Sequence, residues 1–123
     1  MANPGRTRPA TVALLVDVGC VLVFCTIGRR SHAEGITLAG VAETAWPFLA
    51  GTGVGWLAAR GWRRPTALAP TGLAVWIATV AVGMLLRKLT GQGTALSFVV
   101  VASTVTAILL LGWRGAAAAL RRR

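Results

Sequence analysis

Acidic residues are almost absent from this chain: three among 123, against thirteen Lys and Arg. Tyrosine is missing altogether, and there is one histidine. A soluble domain clothes its exterior with charge, on average about a quarter of its residues. Here 13% are charged and 55% hydrophobic, which excludes a soluble fold unless its exterior faces lipid. Metal chemistry lacks material too. His32 and Glu34 fall short of the three or four converging ligands a metal centre needs, so neither metal nor cofactor is expected. Cys20 and Cys25 sit in one apolar run, pointing in different directions on a helix, and read as small packing residues rather than a disulfide. No nucleophile is paired with a base: Ser31, His32 and Glu34 are too close in sequence to be taken for a triad. The expectation is a protein that is not an enzyme.

The formal charge of +10 would suit a nucleic-acid binder if the cations lined one face. They fall instead in short clusters between long apolar runs, where lipid headgroups would meet them, so nucleic acid is not expected as a partner. Arginine outnumbers lysine twelve to one amid abundant Ala, Gly and Val, the bias of a GC-rich bacterial genome.

Four apolar runs approach the length of about 20 residues that a membrane-spanning helix requires. They cover about 10–27, 36–59, 68–86 and 95–113. The short connections at 28–35, 60–67 and 87–94 force neighbouring helices to lie side by side and antiparallel. The first run could pass for a signal peptide, but Asp17 interrupts it and no small-x-small cleavage site closes it. The expected fold is an all-α membrane protein: one domain, an antiparallel up-down bundle of four transmembrane helices. With four spans, one side holds Arg6, Arg8, Arg60, Arg63, Arg64, Arg114, Arg121, Arg122 and Arg123. The other holds Arg29, Arg30, Arg87 and Lys88. This imbalance places both termini in the cytoplasm and the chain in the bacterial plasma membrane.

Two of the three acids fall within spans, where an ionised group costs about 2.5–3.5 kcal/mol on an insertion scale unless it is buried, protonated or paired. Folding the first two spans about the 28–35 loop sets Asp17 level with Trp46 and Glu43 level with Cys20. The carboxyls then differ in depth by about 4.5 Å and could share one polar pocket and a proton, or serve as separate packing residues. Pro47, lacking an N–H, frees the carbonyl of Glu43. Such a site can line an ion path or merely kink a helix. Asp17, Glu43, Trp46 and Pro47 are therefore the candidate proton or ion pathway. Gly51 and Gly55 permit close approach of a neighbouring helix, and Ala74 with Ala78 and Ser103 with Ala107 offer similar narrow faces. At the outer side Arg29, Arg30, His32, Arg87 and Lys88 form a candidate cationic mouth, or a set of side chains reaching for phosphate headgroups beside Glu34. Trp56, Trp62 and Trp113 near the inner boundary read as interfacial anchors.

Asp17, the segment Gly28-Arg29-Arg30-Ser31-His32, the segment Thr44-Ala45-Trp46-Pro47-Phe48, and Gly83-Met84-Leu85-Leu86-Arg87 together resemble the small bacterial membrane proteins grouped as domain of unknown function 3054. The resemblance runs from the first span to Gly112-Trp113-Arg114. It implies a four-helix membrane fold of actinobacterial type and brings no established activity. Two functions fit the residues. One is a transporter or channel component, a homo-oligomer because a single four-helix unit barely encloses a path. The other is a non-transporting accessory or assembly subunit that binds lipid or a larger membrane complex.

Overall fold

A computed structural model describes residues 4–30 and 37–121, with the side chains of 4–8, 29 and 30 left aside. Helix α1 is Pro4–Arg30 and α2 is Leu38–Ala59. Helix α3, Leu73–Leu89, follows a wide turn at Leu68–Gly72 in which Ala69 is extended. The last rod, Leu96–Arg121, consists of α4 (Leu96–Thr106), one π-helical turn (Ala107–Leu111) and α5 (Gly112–Arg121). The described residues thus form four helical rods and no strand.

Three rods outrun their apolar runs in the sequence, whereas α2 stays within its own. Apolar character fades at Trp113, but the alanines at 116–119 are strong helix formers and carry the last rod on to Arg121. The end of α2 is set locally: Thr37 Oγ1 accepts from the Gly40 N–H at 3.0 Å at its start. At its finish Arg60 turns left-handed (φ 51) and the Gly61 N–H returns to the Trp56 carbonyl at 2.8 Å.

Each rod runs antiparallel to the next. Along α1 and α2, Phe24 meets Phe48 edge-on (centroids 5.4 Å apart), and Asp17 meets Trp56. Along α3 and the last rod, Arg87 lies over Phe98 and the Trp76 indole donates to the Ser103 carbonyl. The last rod closes the ring on α1 through Phe24–Phe98 and Asp17–Arg114. The start of α1 and the end of the last rod therefore lie at one end of the bundle, the termini end; the end of α1, the start of α2 and the α3–α4 connection lie at the other, the loop end.

The tightest seam joins α2 to α3. A Cβ on Gly51 would come 2.5 Å from the Ala78 carbonyl oxygen, and one on Gly55 2.6 Å from the Val75 Cα. Backbone here touches backbone, and the Thr52 and Thr79 hydroxyls bond across it at 2.8 Å. The narrow face of α2 thus serves packing within the chain, against α3 at Ala74 and Ala78. The face expected on the fourth rod at Ser103 and Ala107 is displaced: Ala102, Thr106, Leu110 and Arg114 are the buried residues.

Three rods are long and apolar enough to cross a membrane: Pro9–Gly28, Leu68–Leu89 and Leu96–Arg121. Helix α2 is as long but less apolar, since Glu43, Pro47, two threonines and glycines 40, 51, 53 and 55 dilute it. It is also the helix with the most buried residues of the four rods, so its composition answers to its protein neighbours.

Candidate functional site

Asp17 is completely buried, and every acceptor position of its carboxylate is filled. Oδ1 accepts from Trp113 Nε1 and Arg114 Nη1, both at 2.9 Å. Oδ2 accepts from Trp56 Nε1 at 2.8 Å and Arg114 Nη2 at 2.7 Å. Arg114, equally buried, also donates to main chain: Nη1 to the Leu110 carbonyl and Nε to that of Pro65, both at 3.1 Å. Among the described residues no buried side-chain nitrogen or oxygen lacks a partner. One bidentate ion pair thus ties α1, α2, the α2–α3 connection and the last rod together.

Local structure delivers these groups. The buried residues 102, 106, 110 and 114 recur every fourth position, whereas an α-helix drifts by about 40° per such step. The π turn at Ala107–Leu111 absorbs that drift and brings Arg114 onto the inward face. Gly61 performs a similar service for Trp56, for a Cβ there would lie 2.5 Å from the indole ring. Gly72 leaves room for the Arg114 Cδ, which would stand 3.0 Å from a Cβ.

The structure does not bring Asp17 and Glu43 into one pocket. Asp17 faces Trp56 rather than Trp46: α1 runs on through Gly28 to Arg30 and α2 starts only at Leu38, so the hairpin folds further along the chain than a 28–35 loop implies. Trp46 points away from the bundle, 42% exposed, while Pro47 is buried. Trp56 and Trp113 are indole donors to a carboxylate, a use that the interfacial reading of their positions missed. Arg114 was legible only as a boundary charge. The signal available for it was the rule that an intramembrane acid pairs with a base.

Glu43 is exposed at the loop end, on the wall of a cavity of about 630 Å³. Phe24, Cys25, Gly28, Arg87, Gln92 and Phe98 form most of the remaining wall. Arg87 is drawn in from its helix end: Nε donates to the Gly93 carbonyl and Nη1 to Gln92 Oε1, both at 2.9 Å. Its guanidinium carbon stands 4.5 Å from the Phe98 centroid. Of the expected cationic mouth, Lys88 is exposed and beyond the cavity wall. Arg29 and Arg30 end α1, their side chains outside the described residues, and His32 lies outside them altogether. Beneath the cavity the bundle is filled by Val21, Phe48 and Ala102.

The chain matches the family model described as "Protein of unknown function (DUF3054)" over residues 14–117. That is most of its length, and the chain belongs to this family. No curated protein and no solved structure matches it.

Proposed function

We propose that this member of the family is a non-catalytic, non-transporting accessory subunit of the bacterial plasma membrane. In this reading it crosses the bilayer four times, α2 included, with both termini cytoplasmic. It acts by binding at the loop end, held rigid from the termini end. The observation that carries this is the saturation of Asp17. A proton-carrying acid needs access and a change of partner, whereas this carboxylate is enclosed and satisfied by four donors. The polar group that most invited a transport mechanism therefore supports architecture, and the accessible polar chemistry lies around Glu43 and Arg87.

Two experiments test this reading. Purified chain in proteoliposomes is expected to give no proton-linked flux above empty vesicles, while purification in mild detergent brings down a stoichiometric partner protein; a clean homodimer with no co-purifying protein would count against the reading. Flux that vanishes on Glu43→Gln would replace this reading with the transporter. For topology, a C-terminal reporter active only in the cytoplasm is the expected result, since Arg60, Arg63, Arg64 and Arg121 gather at the termini end. Activity on the opposite side would invert the orientation.

A further inference from the structure

A second cavity, of about 270 Å³, lies between α1 and the last rod and is lined by Phe24, Ile27, Gly28, Phe98, Val101 and Val105, with Ser97. It shares Phe24, Gly28 and Phe98 with the Glu43 cavity, so the two adjoin along these residues as two limbs of a candidate recess. The limbs differ in chemistry. The larger carries a carboxylate, a guanidinium and the Gln92 amide. The smaller is apolar and opens on the flank of the bundle, where Ile27 is 52% and Val101 50% exposed. On a membrane-spanning bundle that flank faces acyl chains.

We infer that this recess binds one zwitterionic phospholipid of the phosphatidylethanolamine class, with its ammonium at Glu43 and the upper part of one acyl chain in the Ile27–Val101–Val105 groove. The inference rests on the membrane placement proposed above and specifies what the loop end binds. Charge complementarity selects the headgroup. Among the described residues Glu43 has no ion-pair partner, and its carboxylate can accept N–H bonds from a primary ammonium. An anionic headgroup would meet Arg87 but also bring its own negative charge beside Glu43. A quaternary ammonium has no N–H to give. Nor does it find an aromatic cage, because the Phe98 ring carries the Arg87 guanidinium and Phe24 packs against Phe48. The apolar limb selects an amphiphile over a small soluble zwitterion.

The test uses the full chain reconstituted in vesicles of equal parts phosphatidylethanolamine, phosphatidylglycerol and phosphatidylcholine, re-extracted in mild detergent and weighed by native mass spectrometry. One phosphatidylethanolamine per chain is expected to be retained over the other two lipids. Glu43→Gln, at an exposed position, should reduce that preference about tenfold, the worth of a charge-assisted hydrogen bond. Val101→Trp should fill the groove and reduce retention of any lipid, with the helical circular dichroism of both variants unchanged. Retention in proportion to lipid abundance, a preference for phosphatidylglycerol, or an unchanged preference in Glu43→Gln would each overturn the inference. Resistance of the chain to alkaline carbonate extraction separates the two levels. A resistant chain without lipid preference overturns the lipid site alone, and an extractable chain overturns the membrane reading beneath it.

Discussion

Replacing Asp17 by Asn is expected to be the most damaging conservative change in the chain, lowering stability in detergent by about 3–5 kcal/mol, the cost of removing one partner from a buried ion pair. The amide keeps the shape of the carboxylate but loses its charge, and one of its two acceptor oxygens becomes a donor. Arg114 then holds an uncompensated charge at a site with no access to solvent, and one of the indoles, Trp56 or Trp113, faces an N–H instead of an oxygen. Arg114→Met should cost a similar amount for the converse reason, leaving the buried Asp17 carboxyl without its counter-charge and with only the two indoles as partners. The double variant Asp17→Leu, Arg114→Met removes both charges together and should recover much of the loss, since well-packed apolar replacements of buried pairs are often neutral. Unfolding followed by circular dichroism through a titration with sodium dodecyl sulfate measures all three. A double variant that loses as much as the two single changes added together would show that the pair is not coupled as the geometry requires. Asp17→Asn as stable as the parent would remove the ion pair from the architecture.

How much of this could be read from the residues alone varies along the chain. The helices were legible, because apolar runs interrupted by arginine clusters leave few alternatives at this composition. The bundle's seam was legible as well: Gly51 and Gly55 are spaced for close approach, and the structure names α3 as the partner. The register of the first hairpin was not. It depends on how far α1 continues past Gly28, and glycine inside an apolar helix costs too little to mark an end. The observed register sets Asp17 against Trp56 and leaves Glu43 at the loop end, apart from it. The partnership with Arg114 was hidden for another reason. It joins residues 97 positions apart, and it depends on a π turn that no residue in Ala107–Leu111 announces. A regular helix would have rotated Arg114 off the face that Ala102 and Thr106 share. Glu43 was found as an exceptional residue, whereas the recess around it depends on Phe24 and Phe98, which look like ordinary core in sequence.

The seam between α2 and α3 sets up the second large effect, and it comes with its own control. Gly51→Ala and Gly55→Ala each place a methyl group against main-chain atoms, 2.5 Å from the Ala78 oxygen in one case and 2.6 Å from the Val75 Cα in the other. Side chains can rotate away from such a contact, but backbone cannot, so the helices must separate along their length. Separation also stretches the Thr52–Thr79 hydroxyl bond that crosses the same seam. The expected loss is about 1–3 kcal/mol for each substitution, as for overpacked cores generally. Gly53 lies between them on the same helix, and a Cβ there meets nothing within 4 Å. Gly53→Ala should therefore leave stability unchanged or raise it by about 0.5–1 kcal/mol, the gain from removing a flexible residue from a helix interior. Each variant adds one methyl group to one helix, two on the face toward α3 and one away from it, so any general effect of alanine in that helix cancels between them. If all three behaved alike in the same detergent titration, propensity would account for the result and the close approach of α2 to α3 would not. A loss confined to Gly51 and Gly55 would fix the angular position of α2 against α3, and with it the direction in which Trp56 reaches Asp17.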